Sequence, residues 1–255
     1  MTTVLKTEDL RREFGALCAV DDVSVEIDSE EVTSIIGPNG AGKTTFYNLL
    51  SGRLDPTAGE VFLRGRSGEL ENVTGLPPHD IAQRGLSRAY QINNNFEGLS
   101  VLDNVRVARV STTDRSKELL SRYHTDDELR EAAEDVLDLT GLRDVAETEA
   151  ANLSHGDKRK VEIALSLATD PAVVLLDEPT AGMNPSESEE MVELIKELDE
   201  TTDTTFVLTE HDIDMVLEIS DRILVLHRGE LIANGTPDEV MANEDVTTAY
   251  LGERQ

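Results

Sequence analysis

The sequence predicts an α/β fold built on a mainly parallel sheet and carrying a helical insertion, and three observations carry that prediction. Short β-branched runs alternate with segments of helical period. Several runs are apolar at every position, as strands covered on both faces are. A strand-poor middle stretch, residues 92–160, separates two strand-rich parts. The runs read as strands are 23–27, 32–36, 61–63, 173–176, 206–209 and 223–226. Helix starts are marked by three capping boxes, Thr125-x-x-Glu128, Ser186-x-x-Glu189 and Thr236-Pro237-x-Glu239, the last with proline at the first helical position. Gly141 and Pro171 mark stops. A chain of 255 residues with 38% apolar content can bury one large core. The expected organisation is therefore a single domain, 1–255, with a core from 1–91 and 161–255 and a helical subdomain at 92–160.

Charge narrows the function classes. Fifty-two acids against 23 bases give a net charge of −29, which repels nucleic-acid backbones and anionic headgroups alike. Nucleic-acid binding and direct lipid insertion are thereby excluded. The longest apolar runs, such as 172–176, fall far below the roughly 18–20 residues that span a bilayer, so any membrane role requires another protein as anchor. The opening residues put Glu8 and Asp9 where a secretion signal needs an apolar stretch, so a cytoplasmic location is expected. Cys18 has no cysteine to pair with and is read as a packing residue. Only six bases are lysine, and acids crowd 125–138 and 186–200. That pattern resembles the proteins of high-salt organisms.

The strand at 32–36 runs directly into Gly37-Pro38-Asn39-Gly40-Ala41-Gly42-Lys43-Thr44-Thr45 and then into a helix-period run. This is the strand, loop, helix context of a P-loop. Glycines let the backbone wrap so that its N–H groups face a β-phosphate, and the succeeding helix adds its positive end. Lys43 is placed to bridge β- and γ-phosphates, Thr44 to hold Mg²⁺, and Thr45 to bond a neighbouring phosphate oxygen. The apolar run 173–176 then delivers Asp177 and Glu178. Asp177 at the strand end suits orientation of Mg²⁺ through its water ligands. Glu178, one residue on, is expected to point the other way out of the pleat and polarise a water in line with the γ-phosphate.

Joined with four further segments, these motifs resemble the ATP-binding subunit of an ABC transporter over essentially the whole chain. Gln91 in Ala89-Tyr90-Gln91 matches the family's Q-loop, Leu153-Ser154-His155-Gly156-Asp157 its signature motif, Ala181-Gly182-Met183-Asn184 its D-loop, and His211 its switch histidine. The resemblance implies the P-loop NTPase fold of ABC ATPases, with a mainly parallel sheet core, an antiparallel β portion and an inserted helical subdomain. It implies ATP and Mg²⁺ as ligands, with Gln91 contacting the metal and His211 the γ-phosphate. Ser154 and Gly156 would face the nucleotide of a second ATPase subunit, and Phe14 would stack on adenine. The family also has two integral membrane permease subunits and an extracytoplasmic solute-binding protein, with the ATPase held peripherally at the cytoplasmic face of the membrane. Three residues depart from the common pattern. His155 stands where glycine is usual, Asp157 where glutamine is, and Asn184 where aspartate is.

Phe14-Gly15-Ala16-Leu17-Cys18-Ala19-Val20-Asp21, the Ser154-His155-Gly156 wording, Asn234-Gly235-Thr236-Pro237 and the ending Ala249-Tyr250-Leu251-Gly252-Glu253 are similar to subunits that energise branched-chain amino acid uptake. Relatives serving urea and short amides share much of this wording, and a soluble ABC ATPase of the iron–sulfur assembly type is a further alternative.

Overall fold

A computed structural model describes residues 2–89, 96–110 and 127–251. Gln91 and the Thr125 end of the first expected capping box lie outside them. The chain enters through a long hairpin, β1 (Thr3–Phe14) and β2 (Leu17–Asp28), then β3 (Thr33–Ile36) and α1 (Lys43–Leu50). Next come β4 (Ala58–Arg64), β5 (Leu70–Asn72), α2 (Pro78–Arg84) and β6 (Leu86–Ala89). Helices α3 (Val101–Val110), α4 (Asp127–Leu139) and α5 (His155–Leu167) come after them, then β7 (Val173–Asp177), α6 (Pro185–Thr201) and β8 (Thr205–Thr209). Helix α7 (Ile213–Ile219), the hairpin β9 (Arg222–His227) and β10 (Glu230–Gly235), α8 (Pro237–Met241) and α9 (Glu244–Leu251) complete the described fold.

Two sheets form. An antiparallel sheet has the order β2-β1-β4-β5. The second has the order β10-β9-β3-β8-β7-β6, parallel throughout except for the β9–β10 edge. Strand alternation explains why this parallel sheet is covered twice. Val173 and Leu175 of β7 join the core beneath the antiparallel sheet and α1, whereas Val174 and Leu176 join the core formed with α5 and α6. In β8, Val207 takes the first face and Phe206 and Leu208 the second. All of these side chains are fully or almost fully buried, and each contributes about 1.5–3 kcal/mol relative to exposure.

Several local expectations change. β1 goes unread in sequence because its inward residues, Leu5 and Thr7, are succeeded by Leu10 rather than by position 9. A bulge at Asp9, with φ 46, shifts the register there and hides the alternation. β5, β6 and β10 are likewise additions to the expected strands. The box at Ser186 and Glu189 is corrected: α6 starts at Pro185, Asn184 is its cap, and the reciprocal pair is Asn184 with Glu187. Asn184 thus satisfies helix-end N–H groups, a task asparagine and aspartate perform equally. The Thr236 and Glu239 box forms as expected, and Gly141, with φ 65, lies just past the end of α4. Helix α5 begins at His155 and so runs across the expected boundary at residue 160.

The acid excess has one local cost inside the fold. Asp199 on α6 faces Asp221 and Glu200 from a half-buried position, and burial, more than these charges, pushes its carboxyl up from 3.8 to about 6. Its Oδ1 has no hydrogen-bond partner among the described residues. The native state therefore holds this proton more tightly than the unfolded chain, so ionisation destabilises the fold fully above about pH 6 and the penalty fades as pH falls toward 3.8. The displacement corresponds to at most about 3 kcal/mol, and screening at a half-exposed group reduces this to about 1 kcal/mol. Asp199→Asn is accordingly expected to raise Tm by about 2–4 °C at pH 7.5 and by nothing at pH 4. Thermal melts at the two pH values check this, and an equal gain at both would contradict it.

Candidate functional site

The site lies at the carboxyl ends of β3, β7 and β8, which are neighbours in the sheet. β3 is buried along its whole length and delivers the loop 37–42. Two glycines there have steric reasons. A Cβ on Gly37 would come within 2.2 Å of the Leu226 carbonyl oxygen, and one on Gly42, with φ 107, within 2.3 Å of the Ala19 oxygen. The loop is thus pressed between β2 and β9, and α1 starts on Gly42 with no side-chain cap and no acid in its first turn. Its first N–H groups face outward without an internal partner, the arrangement that accepts an anion.

Lys43 turns back into the loop, donating to the carbonyls of Gly37 at 2.5 Å and Pro38 at 3.2 Å. Burial holds its ammonium below the usual lysine range, a pull that Glu178 and Asp177 oppose. A cleft of about 600 Å³ opens over the loop. Phe14, Asn39, Gly40, Ala41, Gly42, Lys43, Thr44, Thr45, Glu178 and His211 line it, with Leu17, Cys18, Ala19 and Arg228. Phe14 is 43% exposed, and the Arg12 guanidinium lies 4.7 Å from its ring centroid.

Asp177 ends β7 with both carboxylate oxygens engaged. Thr209 Oγ1 donates to Oδ1 at 2.8 Å and Arg88 Nη2 to Oδ2 at 2.9 Å. The Arg88 side chain is only 5% exposed. It also donates to Asn48 Oδ1 at 2.7 Å and lies over the Tyr47 ring, tying β6 and α1 to the end of β7. Glu178 is not a pleated residue, contrary to expectation. It leaves the strand at φ 50, with its N–H bonded to the Thr209 carbonyl at 3.0 Å. This turn, rather than strand alternation, aims its carboxylate at His211, where Oε1 and Nε2 are 2.7 Å apart. Glu210, buried at the end of β8, accepts from Thr180 N and Oγ1 through one oxygen and from the His211 N–H through the other. It clamps the segments carrying Glu178 and His211 together. Reading by motif does not single out Arg88 or Glu210. Their only signal is a charged residue inside an otherwise strand-like run.

The structure does not bring the signature residues into this cleft. Ser154 caps α5, accepting from Asp157 N at 3.0 Å and donating to Asp157 Oδ2 at 2.7 Å. Asp157 therefore sits on the positive end of the helix, where its charge is favourable. Gly156 lies in the first turn of the same helix with open space where a Cβ would be. His155 stands beside Gly182, its Nε2 3.4 Å from where a Cβ on that glycine would lie.

Cradle and donors fit a magnesium nucleotide. The uncapped helix start and Lys43 answer a polyphosphate, and the Thr44 hydroxyl and Asp177 carboxylate are the hard oxygen ligands that magnesium takes. No group of three His, Cys, Asp or Glu side chains converges on a metal position among the described residues. Phosphate oxygens would have to complete the shell. No helix among them is long and apolar enough to cross a membrane.

Residues 20–181 match the family model described as ABC transporter, and residues 230–255 match that of the branched-chain amino acid ATP-binding cassette transporter. The high-affinity branched-chain amino acid transport ATP-binding protein LivG of Salmonella typhimurium is 42% identical over 257 residues, covering 98% of both chains. BraF of Pseudomonas aeruginosa, described in the same words, is 38% identical over 255 residues, again covering 98% of both. Among solved structures, the ADP conformation of an ATP-binding cassette of an ABC transporter superposes with a TM-score of 0.85 at 29% identity, covering 99% of this chain and 100% of that one. A dimeric bacterial ABC transporter cassette reaches 0.75 at 26% identity, covering 91% and 98%.

Proposed function

Since the chain belongs to the ABC transporter family, as an ATP-binding subunit of the branched-chain amino acid importer type, we propose that it hydrolyses MgATP to ADP and phosphate at the cleft over Lys43 and that this reaction drives uptake. The urea or amide importer and the iron–sulfur assembly ATPase are not favoured, because the C-terminal family match and the relatives at 38–42% identity are all branched-chain amino acid subunits. The observation that carries the reaction is the Glu178–His211 pair, 2.7 Å apart on the wall of the cleft that Lys43 and the uncapped α1 also line.

The residues divide the work by chemistry. Backbone N–H groups of 39–45 and Lys43 hold the phosphates, and Phe14 receives the base on the ring face away from Arg12. Thr44, Asp177 and Gln91 would hold Mg²⁺, which when bound neutralises charge on the phosphates. Glu178 takes a proton from the attacking water, and His211 keeps that carboxylate aimed and donates toward the γ-phosphate. Thr209 and Arg88 fix the Asp177 carboxylate so that it need not reorganise. Ser154 and Gly156, held away from their own chain's cleft, serve the cleft of a second ATPase subunit. The helical segment 92–160 and Gln91 transmit closure to two integral permease subunits at the cytoplasmic face, where the chain is held peripherally and a solute-binding protein works on the other side. The acid excess supports operation in concentrated salt.

Expression with its cognate permease and partner ATPase genes, then affinity purification in molar KCl, tests the assignment. The expected result is a membrane complex whose ATPase activity rises with a branched-chain amino acid and its binding protein. Recovery of a purely soluble complex, or of one with no ATP turnover, would end this reading. Dilution of the same material from molar KCl is expected to lower its Tm.

A further inference from the structure

We propose that Arg228 is a second cationic ligand for the nucleotide polyphosphate, reaching the cleft from the β9–β10 turn; this rests on the assignment of the cleft to a nucleotide. The turn is two residues long, and both have left-handed backbones, Arg228 at φ 51 and Gly229 at φ 89. Such turns are met by Asn-Gly or Asp-Gly, whereas an arginine at the first position is strained. Strain of this kind points toward a task for the side chain, and the surroundings supply one.

The turn is docked on the phosphate loop. Gly229 N donates to the Ala41 carbonyl at 2.9 Å, and Asp21 N donates to the Gly229 carbonyl at 2.8 Å. Arg228 lines the same cleft as Gly42, Lys43 and Thr44. No carboxylate of the described residues lies within ion-pairing distance of it, in a chain where acids outnumber bases 52 to 23. Lys43 turns into the loop from its own helix, and Arg228 sits on a turn whose next residue bonds both Ala41 of the loop and Asp21 of β2. A guanidinium stays charged at all working pH values and offers forked donors that suit phosphate oxygens. The turn that carries Arg228 is held beside Ala41 and Gly42 through Gly229, within a long side chain's reach of a polyphosphate seated on the loop.

The test uses the full-length chain, with ATP and ADP affinities measured by calorimetry in dilute and in molar KCl and Tm measured without nucleotide. Arg228→Asn suits the turn better and is expected to keep or raise Tm while weakening both nucleotides about 10-fold in dilute salt. The deficit is expected to shrink in molar KCl. Arg228→Lys keeps the charge and is expected to retain most of the affinity. Unchanged affinity in Arg228→Asn, a loss that molar KCl leaves intact, or equal losses with lowered Tm in both variants would overturn the proposal. A wild-type chain that binds neither nucleotide would instead overturn the functional reading on which it rests.

Discussion

Lys43→Ala is expected to weaken ATP binding by about 100-fold or more while leaving the fold intact. Two effects act on this residue with opposite sign. Its ammonium supplies the charge-assisted bonds that a β- and γ-phosphate needs, each among the stronger hydrogen bonds available to a protein. In the chain by itself that ammonium is costly, since burial depresses its pKa and the Gly37 and Pro38 carbonyls and the charges of Glu178 and Asp177 compensate only in part. Removing the side chain therefore removes a destabilising charge together with two hydrogen bonds, and the net effect on Tm without nucleotide is within a few degrees. Addition of MgATP is expected to raise the wild-type Tm and leave that of Lys43→Ala unmoved, because only a ligand bound to the native state stabilises it. A variant that still gains Tm from MgATP at low ligand concentration would show that phosphate is gripped elsewhere.

The contrast between what motif reading finds and what it misses comes from where each residue's task is done. The roles proposed for Lys43, Thr44 and Asp177 are toward a ligand common to many proteins, so their spacing carries the information locally. Strand alternation sends Glu178 toward the cleft, where it does lie, yet the reason is a left-handed turn at φ 50 that spacing does not encode. Arg88 and Glu210 act on other side chains, Asp177 in one case and Thr180 with His211 in the other. Arg88 is 89 residues from Asp177, and Glu210 is 30 residues from Thr180. No local pattern signals such a pairing. β1 is hidden for a different reason, since one bulge at Asp9 is enough to break a period of two. The capping box at α6 sits two residues earlier than the sequence suggests because Asn184 and Ser186 both cap well, and Pro185, which fits the first helical position, decides for Asn184.

Glu178→Gln separates binding from chemistry, and its expected outcome is a fall in kcat of about 10²- to 10⁴-fold with ATP affinity retained. The amide has the size and shape of the carboxylate, so the φ 50 backbone and the 2.7 Å approach to His211 can persist with glutamine as hydrogen-bond acceptor. What is lost is the capacity to take a proton from water. The variant also removes one of the two negative charges that hold the Lys43 pKa up, so Lys43 is expected to titrate lower still without nucleotide. Bound phosphates restore that charge balance, and MgATP is therefore expected to stabilise the variant at least as much as it stabilises the wild type. Because turnover stalls after closure, a closed pair of ATPase subunits is expected to accumulate in MgATP and to be visible by size-exclusion chromatography. Glu178→Asp makes the mechanism distinguishable from simple loss of charge: it keeps the carboxylate but withdraws it by one methylene from His211, and it too is expected to lose most turnover. Unchanged hydrolysis in Glu178→Gln would refute its assignment as the base, and full activity in Glu178→Asp would show that the His211 contact does not set the geometry of attack.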